Sequence, residues 1–137
     1  MKISRKLEYA CRVLAQLGRK DSVSGLVHIE HLAQAESIPS NYLVQILNRL
    51  RLNGLIISKR GQQGGYGLAK DPDQISFYAI VMAVDPESLK ISCEQKGESG
   101  MKVSEVWDEL SRKWVDQLKA ISLESIISNI DSKMYYI

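Results

Sequence analysis

Thiols are scarce in this chain, and so are long apolar runs. Its 137 residues hold two cysteines, Cys11 and Cys93, which form neither a Cys-x-x-Cys pair nor a disulfide framework. That excludes a stapled secreted scaffold and points to a reducing compartment. No apolar run approaches the ~20 residues that cross a bilayer. The opening MKISRKLEYACR alternates charged and apolar side chains where a secretory leader would need an apolar core. A cytoplasmic protein with no membrane partner is expected. Catalytic sets are missing as well: no nucleophile–base pair or metal-ligand group stands at usable spacing, and His28 and His31 have no third ligand nearby. An enzyme is therefore not expected.

Net charge is small, +2, but its distribution is uneven. Residues 1–71 carry 11 Lys and Arg against 5 Asp and Glu, or +6, whereas residues 72–137 carry 7 against 11, or −4. The basic half is where an anionic partner would be met. With 45% hydrophobic and 25% charged residues, the chain suffices for one compact domain plus an appendage.

The stretch 38–68, IPSNYLVQILNRLRLNGLIISKRGQQGGYGL, organises that half. At ~100° per residue, Leu43, Ile46, Leu47 and Leu50 share one helical face, and Asn41, Gln45, Asn48 and Arg49 lie toward the other. Pro39 suits a first turn, Ser40 is expected to cap, and Asn53-Gly54 followed by Leu55 writes the stop. Residues 56–59 and 66–69 then read as two short strands joined by Arg60-Gly61-Gln62-Gln63-Gly64-Gly65. This loop is not a phosphate-cradling loop, which needs a helix after it and a Gly-Lys-Ser/Thr ending. A structural hairpin or a wing that touches nucleic acid remains, and the wing is preferred.

Before this stretch, Ser4 is expected to cap a helix with Leu7, Ala10, Cys11, Leu14 and Leu17 at helical spacing, stopped by Gly18. Glu8 and Arg12 stand at i,i+4. A loop, RKDSVSG, leads to a short helix over 30–36, and Ser37-Ile38-Pro39 turns the corner into the next. A short helix, a turn of about three residues and a longer helix with a polar outward face make a helix-turn-helix.

After the hairpin, Asp71-Pro72-Asp73 ends the sheet and Ser76 caps a helix with Ile75 and Ile80 placed for a hydrophobic staple. Residues 77–84 are apolar nearly all round and should be buried. Residues 87–102 lack periodicity. From Ser104 a long helix carries Val103, Trp107, Leu110, Trp114, Gln117 and Ile121 in steps of four and three. That stripe packs either on the chain's own core or on a partner subunit; the partner is preferred, because the preceding domain already looks complete. A short final helix with Leu123, Ile126, Ile127 and Ile130 is expected to close the same interface.

Placed against a duplex, Ser40, Asn41 and Gln45 meet base edges in a major groove, where amides suit adenine. Arg49 and Lys59 suit phosphates. Arg60 at the hairpin tip suits a narrow minor groove, with Gly61 and Gln63 beside it, and Lys2, Arg5 and Lys6 are candidates for further backbone contacts. Each charge alone reads as solvated surface; their concentration in one half favours nucleic acid.

RKLEYACRVL, HIEHLAQAESIPSNYLVQILNRLRLNGLI, SKRGQQGGYGLAKDPDQIS and the AIVMAVD segment, in this order, resemble the IscR, NsrR and CymR regulators of the Rrf-two family. The resemblance covers nearly the whole chain, and YLxQILxxLRxxGL with RGxxGGYxLA is a specific combination. It implies a mainly α (α+β) fold: a winged helix-turn-helix over 1–85, a sensor-type loop over 86–103, and dimerisation helices over 104–137. The implied activity is that of a homodimeric regulator, a repressor, on a palindromic operator in double-stranded DNA, with Val103, Trp107, Leu110, Trp114 and Ile121 between subunits.

Two positions depart from the pattern. Many members hold an iron–sulfur cluster on three loop cysteines, and here the loop has only Cys93, so no cofactor is expected. An atypical cluster on Cys93 and Glu8, redox sensing by Cys93 and response to an effector protein remain alternatives. Many members also carry an acidic residue where Val44 stands. An alternative to DNA binding is an adaptor that uses the winged helix as a protein-docking surface.

Overall fold

Ser4 opens α1 (Arg5–Leu17) by accepting a hydrogen bond from the Leu7 amide at 3.3 Å, and Gly18 closes the helix. In this computed structural model, which describes residues 2–19 and 25–128, α1 buries Leu7, Ala10, Val13, Leu14 and Leu17 and leaves Cys11 half-buried at the edge of the stripe. The middle of the RKDSVSG loop, Ile130 and the tail from 131 onward lie outside the described residues. In α2 (Ile29–Glu36) Leu32 is fully buried, and Ser37 in a left-handed conformation turns the chain toward Ile38 and α3 (Ser40–Leu52).

The stop of α3 is the one its sequence encodes. Gly54, at φ 75°, donates to the Arg51 carbonyl at 3.0 Å, and the Leu55 amide donates to the Leu50 carbonyl at 3.0 Å. Buried Leu50 and Leu55 supply the apolar contact that accompanies such an end. The start differs from expectation. Pro39, not Ser40, is the cap residue, and it accepts the Tyr42 and Leu43 amides with its carbonyl while Ser40 is already helical. Proline fixes φ at the value the entry needs, so the Ser40 hydroxyl is not used as a cap.

The hairpin pairs β1 (Ile56–Lys59) with β2 (Gly65–Leu68) antiparallel, Ile56 facing Leu68 and Lys59 facing Gly65. The second strand thus lies one residue earlier than the 66–69 expected. A third pairing joins it: Val27 and Tyr66 exchange both backbone hydrogen bonds at 2.8 Å. After a 3-10 turn over Pro72–Gln74, Ser76 caps α4 (Phe77–Val84) by accepting the Ala79 amide at 3.1 Å, and the staple residues Ile75 and Ile80 are both fully buried. Burial of α4 is incomplete, since Met82 is exposed.

The long helix α5 (Gly100–Ala120) begins four residues before the expected Ser104. Gly100 is there because the loop folds back on it: a Cβ at this position would lie 2.5 Å from the Gln95 carbonyl carbon. Ser104 is instead buried inside the helix, accepting a hydrogen bond from Gln95 Nε2 at 3.1 Å. Beyond α5 the chain returns to the body of the domain. Phe77 donates to the Ile121 carbonyl at 2.9 Å and Leu123 to the Ile75 carbonyl at 2.8 Å. Leu123 and Ile127 are buried in the one core that also contains Leu14, Leu43 and Ile80. Leu123 and Ile127 therefore serve this chain's own core, where their apolar spacing suggested a subunit interface, while Ile126 is half-buried and Ile130 lies outside the described residues.

Candidate nucleic-acid interface

Because α3 buries Leu43, Ile46, Leu47 and Leu50, helical geometry obliges Asn41, Gln45, Asn48 and Arg49 to face out, and all four are exposed. Asn48 is engaged with its own helix, its Oδ1 accepting from Arg51 at 2.8 Å. The side chains of Asn41, Gln45 and Arg49 have no such partner among the described residues. Val44 stands among them at 52% exposure. An apolar side chain on a polar face gains nothing from water, and thymine methyl groups are the apolar feature a major groove offers.

Lys59 and Arg60 are exposed at the end of β1 and the start of the hairpin loop, and Gly61, Gln62 and Gln63 follow at the tip, where Gly64 donates to the Gly61 carbonyl at 3.0 Å. The tip is attached to α2: His28, the cap residue of that helix, has Nε2 3.1 Å from the Gln62 carbonyl oxygen. A carbonyl can only accept, so Nε2 carries the proton. This attachment was not foreseen, since neither a single histidine nor a loop glutamine signals a partner 34 positions away in sequence.

Of the N-terminal cations, Lys6 places Nζ 3.8 Å from Asp85 Oδ1, and the Ser4 hydroxyl donates to Asp85 Oδ2 at 2.7 Å. Lys6 thus has a counter-charge at the end of α4. Lys2 borders a cavity of about 490 Å³ between α1, α4 and α5, lined by Leu7, Glu8, Cys11, Phe77, Trp114 and Leu118 among others. Arg5 is exposed on the first turn of α1.

On α5 the inward face is Ser104, Ser111, Val115 and Leu118. Turned away from it, Val103, Trp107, Leu110, Trp114 and Ile121 are 40% to 49% exposed. Four large apolar side chains along one helix, with Ile121 just past its end, form the kind of patch that soluble chains cover with protein.

The donors around the loop before α5 do not make up a cluster's ligand set. Among the described residues no group of three or more His, Cys, Asp or Glu is positioned to hold a metal ion. Glu8 is held by Arg12 at 3.1 Å, and Arg12 also lies over the Tyr9 ring, pairs with Glu36 at 3.9 Å and donates to the Glu36 carbonyl. Cys93 is half-buried, and both lysines near it in sequence are paired elsewhere, Lys90 with Glu87 at 2.9 Å and Lys96 with Glu94 at 4.0 Å. Burial, reinforced by Glu8, pushes the Cys11 thiol up to about 11, which keeps it protonated and a poor ligand. One loop thiol does not fit an iron–sulfur cluster, whose ordinary ligand set is four thiolates or, in Rieske centres, two thiolates and two imidazoles.

Comparison with known proteins agrees with this architecture. A family model, Rrf2, described as an iron-dependent transcriptional regulator, matches residues 3–129. The regulator IscR of Cronobacter sakazakii is 33% identical over 133 residues, covering 94% of this chain and 82% of that protein. The structure of CymR, the global cysteine regulator of B. subtilis, superposes with a TM-score of 0.80 at 27% identity over 94% of this chain and 98% of its own. T. potens IscR superposes at 0.76 and 27% identity, over 95% and 88%. No helix among the described residues is long and apolar enough to cross a membrane.

Proposed function

Since the chain belongs to the Rrf2 family of winged-helix transcriptional regulators, we propose that it acts as a homodimer on an inverted repeat in duplex DNA, as a repressor that needs no iron–sulfur cluster. The observation that carries this reading is the outward face of α3, where Asn41, Gln45 and Arg49 stand exposed and without partners among the described residues beside an exposed cationic wing. Water satisfies these groups in the free protein, and because no intramolecular contact holds them they are available to a base edge or phosphate.

In this reading α3 enters the major groove. Gln45 and Asn41 address adenine edges, Ser40 donates or accepts as the step requires, and Val44 lies against thymine methyls. Arg49 and Lys59 neutralise phosphates, which fixes register and makes affinity salt-dependent. Arg60, with Gly61 and Gln63 around it, approaches the neighbouring minor groove. Arg5 and Lys2 add backbone contacts, while Lys6 works through Asp85 to hold α1 on α4. The stripe from Val103 to Ile121 joins two such units, and two helices about one helical turn of DNA apart (roughly 34 Å) then read two half-sites.

Selection from a randomised pool of duplexes tests this. Enrichment of an inverted repeat with half-sites about 10 base pairs apart is expected; a protein that retains all sequences alike, with little dependence on salt, is instead a docking adaptor. Anaerobically purified protein is expected to be colourless and still bind the selected duplex, and stoichiometric iron and sulfide per dimer contradicts the cluster-free part of the proposal.

A further inference from the structure

Isolated two-stranded hairpins are marginal in water, and the wing here has only four residues per strand. Its orientation relative to α3 therefore needs an external hold, and the structure contains one. The segment ahead of α2 meets β2 at a single β-bridge: Val27 and Tyr66 exchange both backbone hydrogen bonds at 2.8 Å. The contact is close enough to require glycine, since a Cβ on Gly65, whose φ is +135°, would lie 2.6 Å from the Val27 carbonyl oxygen. One residue further along, the His28 ring spans the remaining gap and donates from Nε2 to the Gln62 carbonyl at 3.1 Å.

We propose that His28 is a positioning residue for the wing, holding the loop that carries Arg60, Gly61 and Gln63 at a fixed angle to the helix-turn-helix. The geometry is directional. The backbone pairing clamps the middle of the hairpin, and without the imidazole the loop beyond it pivots about Tyr66. Gln62 itself then contributes through its main chain, with its side chain left over, whereas the residues on either side of it are the ones placed for DNA. His28 also precedes the first turn of α2, so wing and helix-turn-helix are referenced to the same residue. A wing tip free to pivot places Arg60 in the groove for only part of the time.

This inference rests on the DNA-binding reading, and the test separates the two. In free protein, amide hydrogen exchange at Gly64 and Tyr66 is compared between the native chain, His28→Ala and His28→Gln, the last restoring a side-chain donor of similar reach. Affinity for the selected duplex and for unrelated duplex is measured on the same samples, with thermal unfolding as a control. His28→Ala is expected to speed exchange at the wing and to weaken specific binding by about fivefold, the equivalent of one exposed hydrogen bond. Unrelated duplex and melting temperature stay unmoved, and His28→Gln recovers both losses. Native protein that binds the duplex while His28→Ala binds equally well overturns the inference alone, as does unchanged exchange at the wing. Native protein that selects no duplex overturns the functional reading, and the inference with it.

Discussion

Two helices of this chain present faces to solvent, and the faces are chemically opposite. On α3, burial of Leu43, Ile46, Leu47 and Leu50 leaves Asn41, Gln45 and Arg49 outside; on α5, burial of Ser104 and Leu118 leaves Val103, Trp107, Leu110 and Trp114 outside. The first is an ordinary amphipathic helix on which Asn48 is held by Arg51, while the side chains of Asn41, Gln45 and Arg49 lack partners among the described residues. The second inverts the usual arrangement, with a serine inside and tryptophans out. A surface of water-solvated donors held by no intramolecular contact suits a charged, hydrogen-bonding polymer, and a surface of large apolar groups suits another protein face. On the proposed reading these faces serve two classes of partner, and mutation should separate them.

The largest effect should come from α5. Trp107→Glu is expected to convert the dimer to a monomer by light scattering and to weaken binding to the inverted repeat by about a hundredfold, because the second half-site is lost along with its effective concentration. If the variant stays dimeric, the α5 face is not the subunit interface. On α3, Gln45→Ala is expected to leave the dimer intact and lose about tenfold in specific affinity, with relaxed preference at one base pair per half-site. Equal relaxation at every position would mean that Gln45 does not read a base. Lys59→Ala should be milder still, weakening all duplexes alike and flattening the slope of log affinity against log salt by about one per protomer.

The smallest effect concerns the scaffold between the two faces. Burial holds the Glu36 carboxyl above its usual range, outweighing Arg12 and Arg19, which pull it down. A group raised on folding stabilises the fold below its unfolded value of 4.5, and that contribution is lost as pH rises through the higher folded value. Glu36→Gln should therefore remove this acid-range slope and change stability at neutral pH by about half a kcal/mol or less. A large neutral-pH destabilisation would show instead that the Arg12 pair outweighs burial.

Local signals were readable where they act over a few residues. The caps at Ser4 and Ser76, the Ile75–Ile80 staple and the end of α3 at Asn53-Gly54-Leu55 all depend on neighbours within six positions, and each is present. The polar outward face of α3 followed from one periodicity. Features set by distant contacts were not readable. Leu123 and Ile127 have the spacing of an interface helix, but they lie in the core because the chain after α5 pairs with the start of α4. The Val27–Tyr66 pairing and the His28 contact have no short-range signature, and a single chain cannot show what covers Trp107. The family resemblance anticipated the architecture but not these contacts.

The central claim is that the polar face of α3 meets DNA while the apolar face of α5 meets a second copy of the chain. Light scattering on the complex with a duplex carrying the selected inverted repeat tests both at once. Two chains per duplex are predicted, bound together in one step, with Trp107→Glu abolishing that stoichiometry and Gln45→Ala only weakening it. One chain bound per duplex by native protein, or two that bind independently, would contradict it.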